Sequence, residues 1–339
     1  MSDFRDIAVL GAGPVGMFAV FEAGMHDLSC HLVDALPQLG GQLSTLYPHK
    51  PIYDLPGFPE TSAIDFIDRL EVQMRPACPH LVLGDPVVDV AQEDEVFVCH
   101  TASGRSLRSK AVFIAAGRGA FLMRRPRVEG MEPYEGTSLF FTVDDATAWR
   151  GKRVVVQGGG DSALDWAVRL ADAGSHVCLV HRRKNFRAHP KTVDLYMKMV
   201  EKGVADVVVP GVVRGVEGDA ETGVMRALRL GTTEGGRTIA ADIWLPLLGV
   251  VSQLGPIEAW GLDITAGHID VAPHSMETNR PGIYAMGDVA NYPGKCSLIL
   301  TGMAETAMAV RHAYGYCRPD SEWSDEYSTT KGGPGQAKG

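Results

Sequence analysis

No two of the six cysteines (Cys30, Cys78, Cys99, Cys178, Cys296, Cys317) stand at C-x-x-C spacing, and none belongs to a cysteine–histidine set with metal-ligand spacing. That argues against a metal centre and a catalytic disulfide, and it leaves the thiols as small core hydrophobes in a reducing compartment. Long apolar runs are missing as well. No stretch would cross a bilayer, and the N-terminus Met1-Ser2-Asp3-Phe4-Arg5-Asp6 lacks signal-peptide character, so a cytoplasmic location without membrane contact is expected. Positive charge is not in excess either: 32 Lys+Arg against 41 Asp+Glu give a formal net charge of −9, which argues against nucleic acid as the main partner. What the sequence does have is 339 residues, 45% of them hydrophobic, enough for two cores of ordinary domain size.

Glycine is where the information lies. Gly11-Ala12-Gly13-Pro14-Val15-Gly16 follows the short apolar strand Ile7-Ala8-Val9-Leu10 and precedes a helical run, Met17 to Met25. In such a fingerprint the first glycine permits a tight turn and the second lets backbone N–H groups approach a pyrophosphate. The third lets the helix pack close, with its positive N-terminal end facing the phosphates. The next strand, Cys30-His31-Leu32-Val33-Asp34, ends in an acid. An acid there accepts hydrogen bonds from ribose hydroxyls and repels a 2′-phosphate, so this half binds FAD or NAD and not NADP.

A second fingerprint carries the opposite sign. Arg153-Val154-Val155-Val156-Gln157 reads as the strand, Gly158-Gly159-Gly160-Asp161-Ser162-Ala163 as the turn, and Ala163 to Ala173 as the helix. The following strand, His176-Val177-Cys178-Leu179-Val180, ends in His181-Arg182-Arg183, with Arg187 close behind. Guanidinium groups at that position pair with a 2′-phosphate through parallel hydrogen bonds, which points to NADPH.

Near the other end, Thr278-Asn279-Arg280-Pro281-Gly282-Ile283-Tyr284-Ala285-Met286-Gly287-Asp288 reads as a turn, a buried strand and a Gly-Asp pair, followed by a helical run from about Ser297 to Tyr316. This resembles the C-terminal FAD signature of flavoproteins with two dinucleotide-binding domains. Ala111-Val112-Phe113-Ile114-Ala115-Ala116-Gly117 matches the strand that closes their first FAD segment. A helix N-terminus facing a reduced flavin is physically sensible, because it stabilises negative charge.

The expected fold class is therefore α/β, with two Rossmann-like (three-layer ββα) dinucleotide-binding domains, the NADP domain inserted in a discontinuous FAD domain. Residues 1–117 and 245–320 form the FAD domain in this reading, 118–244 the NADPH domain, and 321–339 a partly disordered C-terminal extension. Each half is expected to add a small antiparallel part, Val96-Phe97-Val98-Cys99-His100 in the first and Met225-Arg226-Ala227-Leu228-Arg229-Leu230 in the second.

Nearly the whole chain is similar to the ferredoxin–NADP+ reductases of the thioredoxin-reductase-like type. The resemblance rests on Pro37-Gln38-Leu39-Gly40-Gly41-Gln42-Leu43, Leu46-Tyr47-Pro48, Ile52-Tyr53-Asp54-Leu55-Pro56-Gly57-Phe58-Pro59, Val143-Asp144-Asp145 and Gly158 to Trp166. Thioredoxin reductases proper carry a C-x-x-C pair shortly before the second fingerprint; the corresponding stretch here, Leu139 to Asp145, has no cysteine. The resemblance implies that Asp34 holds the FAD ribose, Gln42 the flavin region and Asp288 the ribityl chain, with Tyr47 stacking on the flavin. It further implies adenine contacts near Val87, Phe121 beside the flavin, and Tyr327 with Thr329 reaching the other flavin face from the neighbouring subunit of a homodimer.

The expected activity follows. NADPH gives a hydride to flavin N5, and single electrons pass to ferredoxin in two steps, without a redox disulfide. Gly158, Gly160, Asp161, Ser162, Arg182 and Arg183 are the NADP residues in this reading; Gly11, Gly13 and Gly16 join the FAD set. Arg124-Arg125-Pro126-Arg127 is the best linear candidate for docking an acidic ferredoxin. Flavodoxin, a quinone or oxygen as acceptor, or a non-catalytic FAD/NADP sensor, stay open at this point.

Overall fold

An apolar run without alternation suits a strand covered on both faces, and Phe4–Leu10 is buried throughout its last five residues. It lies between Cys30–Asp34 and Ser106–Ile114, parallel to both. His80–Leu83 extends the sheet beyond Cys30–Asp34, and Ile283–Ala285 runs parallel beside Ser106–Ile114. Val96–Thr101 and Val87–Glu93 add the antiparallel part. Side chains alternate between two cores. Ile7, Val9, Leu32 and Phe113 pack with the helices Pro14–Met25, Ala63–Met74 and Ile299–Cys317, whereas Ala8, Leu10, Val33 and Ile114 pack with Leu254 and Trp260. The computed structural model describes residues 4–46, 48–143, 145–324, 326 and 328–335, together with the backbone but not the side chains of 120–122, 250–252 and 331.

The chain divides into two compact units, Met1–Ala120 with Ser252–Gly339, and Phe121–Val251. In the second unit Arg153–Gln157 lies between His176–Val180 and Ile243–Pro246, all parallel, with Ala205–Val208 outermost. Gly211–Asp219, Val224–Thr232 and Gly235–Ala240 form a separate antiparallel sheet. The chain leaves this unit after Val251 and not before residue 245, because Ile243–Pro246 is one of its parallel strands and the Leu247 N–H donates to the Gln157 carbonyl. The connecting strands Ala120–Met123 and Val250–Gln253 pair with each other.

Both fingerprint helices begin earlier than their apolar pattern suggests, at Pro14 instead of Met17 and at Asp161 instead of Ala163. Proline fits a first turn because its missing N–H would have had no partner there. Asp161 is stabilised by the positive end of its helix. The last long helix is Ile299–Cys317.

Composition suggests a disordered tail, yet the described part of the extension is folded against its own unit. Trp323 stacks on His26 at 3.9 Å between ring centroids, Ser328–Lys331 is a short helix, and Pro334 is buried beside Gly24. Residues 336–339 lie outside the described part.

One ion pair closes the first unit on itself. Asp6, 5% exposed, accepts from the Ser29 N–H and hydroxyl at 2.8 Å each and from the Arg318 guanidinium, just past the last long helix. Burial alone would push the Asp6 carboxyl up, but Arg318 and Ser29 outweigh it and hold it below the usual range. A carboxyl held low contributes stability above its unfolded value and loses it as pH falls through the folded one. Asp6→Asn should therefore lower stability at neutral pH by about 1–2 kcal/mol, discounted because Arg318 is partly exposed. Urea denaturation should show the gap from wild type closing as pH drops below about 4; a gap independent of pH would contradict the assignment.

Candidate dinucleotide-binding sites

Parallel strands place the turns that follow them along one edge of the sheet, where ligands of open α/β sheets bind. In the first unit this gathers the residues picked out above. Gly11 has φ +113°, and a Cβ there would lie 2.4 Å from the Ala115 carbonyl oxygen. A Cβ on Gly16 would lie 1.8 Å from the Gly11 oxygen, so the helix can pack this close only with glycine. Gly13 is different: it caps the helix in extended conformation, and a Cβ there meets nothing within 4 Å. The N-terminal amides of Pro14–Met25 are thus approachable from that side, as an anionic phosphate needs.

Asp34 sits beside this turn. Its carboxylate accepts from the Ala12 N–H at 2.5 Å and the Leu36 N–H at 2.8 Å. Burial pushes the carboxyl up from its ordinary value, an effect that the N–H donors of Leu36, Ala12 and Ala35 only partly offset. The Gly40-Gly41-Gln42 turn closes over the same place: the Gly40 N–H donates to the Ala12 carbonyl, and a Cβ on Gly41 would stand 3.1 Å from Gly13 Cα. Gln42 opens a short helix with its amide nitrogen 3.5 Å from where a Gly117 Cβ would be. Val87 begins the strand after Asp85, whose N–H donates to the Asp34 carbonyl. Asp288, in the turn Gly287–Val289, lies 3.6 Å from the Arg118 guanidinium.

Not all the expected residues can be followed to this cluster among the described ones. Tyr47 and Tyr327 lie outside the described residues, as does the Phe121 side chain. Thr329 is exposed in Ser328–Lys331. The anchors on either side of it, Trp323 and Pro334, pack at His26 and Gly24. That is the far end of the Pro14–Met25 helix, about 18 Å from its first residue at 1.5 Å per residue.

The second unit repeats the geometry with basic residues around it. A Cβ on Gly158 would collide with the Leu247 oxygen at 2.3 Å and with Ala163 Cβ at 2.7 Å, while one on Gly160 meets nothing within 4 Å. The His181 ring lies directly on the turn, since a Cβ on Gly159 would fall 2.3 Å from it. That ring stacks on Phe186 and approaches the Asn185 carbonyl at 3.2 Å. The Arg187 N–H donates to the Gly159 carbonyl, and Asp161 accepts from the His189 N–H. Ser162 is half-buried in the first helical turn, and Arg182, Arg183 and Arg187 are exposed. Burial, together with these three guanidinium groups, lowers the His181 pKa. The same three guanidinium groups attract an anion.

The cysteines divide in a way the sequence did not anticipate. Cys30, Cys99 and Cys317 are buried as expected, but Cys78 and Cys296 are exposed. All six are free thiols, and burial pushes Cys99, Cys178 and Cys317 up to about 12. Among the described residues no group of three or more His, Cys, Asp or Glu is placed to hold a metal, and no helix is long and apolar enough to cross a membrane.

Residues 5–313 match the family described as pyridine nucleotide-disulphide oxidoreductase. The ferredoxin–NADP reductase of Paramagnetospirillum magneticum is 44% identical over 331 residues, spanning 97% of this chain and 98% of that one. The chain belongs to the pyridine nucleotide-disulphide oxidoreductase family, among its ferredoxin–NADP reductases. Membership of these oxidoreductases agrees with a second relative, the ferredoxin–NADP reductase of Rhodospirillum rubrum, which is 44% identical and covers 97% of this chain and 96% of its own. The family fold is visible in a solved structure of Lactococcus lactis thioredoxin reductase, with a TM-score of 0.74 at 22% identity, covering 93% of this chain and 99% of that one. The two-domain α/β architecture expected from the fingerprints is thus the family's own.

Sequence reasoning missed two members of the first cluster, Arg118 and the fully buried Glu305. Glu305 leaves a trace, being a lone carboxylate among the buried helix positions Gly302, Thr306, Ala309, Val310 and Ala313. The two kinds of glycine yield a test. Gly16→Ala should cost about 3 kcal/mol or more in chemical denaturation, because backbone must move, whereas Gly13→Ala should stay within about 0.5 kcal/mol. Equal losses would contradict the division into packing and ligand-facing glycines.

Proposed function

We propose that the chain is an FAD-dependent oxidoreductase that passes electrons between NADPH and ferredoxin without a redox disulfide, acting as a cytoplasmic homodimer. The observation that carries this reading is the contrast between the two strand ends. Asp34 stands beside the first glycine turn, and Arg182, Arg183 and Arg187 surround the second. An acid favours ribose hydroxyls, and guanidinium groups favour a 2′-phosphate.

The residues present fit FAD in the first unit. The open side of Gly13 admits a pyrophosphate, Asp34 offers a half-buried acceptor, and Gln42 and Asp288 stand by the neighbouring residues Gly117 and Arg118. Tyr47, Val87, Phe121 and Thr329 belong to the same site in this reading. Bound FAD supplies the chemistry, accepting a hydride from NADPH and releasing electrons singly. The protein binds both nucleotides, fixes their orientation and limits water. Gly158, Gly160, Asp161 and Ser162 form the NADPH phosphate turn, with Arg182 and Arg183 on the 2′-phosphate.

Trp323 and Pro334 anchor the described part of the extension at the far end of the Pro14–Met25 helix, away from this chain's own first glycine turn, which supports the reading in which Tyr327 and Thr329 serve the flavin of a second copy. The free thiols support a reducing, cytoplasmic setting. For ferredoxin, Arg124 and Arg127 are exposed, while Arg125 is engaged by Glu135 and lies 5.0 Å over the Phe141 ring.

Replacing Arg182 and Arg183 together by Ala should weaken NADPH binding about a hundredfold, as expected for two charge-assisted contacts, and leave NADH binding nearly unchanged. Isothermal titration with both cofactors checks this, and equal losses would overturn the assignment. NADPH-driven cytochrome c reduction should depend strongly on added ferredoxin. Rapid flavin bleaching without that dependence would reassign the acceptor to flavodoxin, a quinone or oxygen.

A further inference from the structure

The long helix Ile299–Cys317 buries a stripe of small and apolar residues, and in its second turn sits Glu305 with 0% exposure. A carboxylate there costs several kcal/mol unless it is fully partnered. It is partnered by three residues on two segments. One oxygen accepts from the Gly287 N–H at 2.7 Å; the other accepts from the Tyr292 hydroxyl at 2.6 Å and pairs with the Lys295 ammonium. Gly287 precedes Asp288, and Tyr292 and Lys295 lie on the loop that leads into Leu298, the cap of the same helix.

The Gly287 turn and the helix both meet Val15, a residue of the first glycine turn. A Cβ on Gly302 would lie 2.5 Å from Val15 Cγ2 and 3.1 Å from Gly287 Cα, and one on Gly287 would lie 3.2 Å from Val15 Cγ2. Contact this close leaves no slack. Any shift of the Gly287 peptide or of the helix start is a shift of Asp288 or of the helix N-terminus against the first glycine turn.

We infer that Glu305 is a positioning residue for the flavin site: its carboxylate ties the Gly287-Asp288 turn and the 290–298 loop to the helix, and so sets where Asp288 and the helix N-terminus stand. The inference rests on the FAD reading given above. Glutamine at 305 would still accept from Gly287 but would turn an amide N–H group towards the Lys295 ammonium. Removing the lysine as well relieves that clash of donors.

The test uses the full chain, stripped of flavin and titrated with FAD by fluorescence quenching, with the visible flavin spectrum recorded at saturation. Thermal unfolding of the stripped proteins is followed alongside. Glu305→Gln should raise the FAD Kd about tenfold and shift the flavin band, as expected for loss of one charged hydrogen bond. Tyr292→Phe, a milder change at a partly buried position, should raise it about threefold, and Glu305→Gln with Lys295→Met should return to within about threefold of wild type. If every variant keeps a wild-type Kd and spectrum while only melting points fall, Glu305 merely stabilises the fold and the inference is overturned. Should Glu305→Gln fail to fold, Tyr292→Phe decides alone by the same criterion. A wild-type chain that takes up no FAD would overturn the flavin reading itself, an outcome distinct from unaltered variants of a flavin-binding wild type.

Discussion

The approach of a helix to the end of a strand, closer than any side chain permits, is the constraint on which the molecule depends. It occurs twice. At Gly16 the helix backbone touches the Gly11 carbonyl, and at Gly158 the strand end touches both Leu247 and Ala163. Each contact fixes a helix N-terminus at the edge of a parallel sheet, with one glycine, Gly13 or Gly160, left open towards solvent. Packing thus creates an anion-binding position before any ligand arrives. What distinguishes the two positions is a few charges at the next strand end.

Those charges act through burial as much as through sign. Asp34 is held against two backbone N–H groups in a poorly hydrated place, and a carboxylate so placed gains from hydroxyl donors that bulk water would otherwise outcompete. On the other unit the arginines remain exposed, and a half-buried ring, His181, lies on the Gly159 turn. One site therefore presents a half-buried acceptor and the other a surface cluster of donors. The contrast fits a tightly retained cofactor in the first and an exchanging one in the second.

Much of this was legible in the sequence because backbone geometry dictates residue type at the turns. Only glycine fits at Gly11 and Gly16, and strands buried on both faces must be apolar, so Cys30–Asp34, Arg153–Gln157 and His176–Val180 have the bounds their composition indicates. Helix starts were misjudged where polar or imino residues begin them, at Pro14 and Asp161, since hydrophobic periodicity does not register a first turn. The end of the second unit was placed too early because Ile243–Pro246 looks the same whichever sheet it joins. Glu305 was missed for a different reason. Its three partners are 18, 13 and 10 residues away, and a glutamate in a helix is ordinary until its burial is known. Likewise nothing local announces that Trp323 will lie on His26, a long-range contact that orders an otherwise polar tail.

The central claim is that each unit holds one nucleotide and that electrons pass from the second to the first. Anaerobic titration of the FAD-loaded chain with NADPH tests it most directly. The account predicts that visible flavin absorbance bleaches with about one NADPH per flavin, as two-electron hydride transfer requires, and that NADH is a much poorer donor. A flavin that stays oxidised in excess NADPH, or that bleaches equally well with NADH, would contradict it.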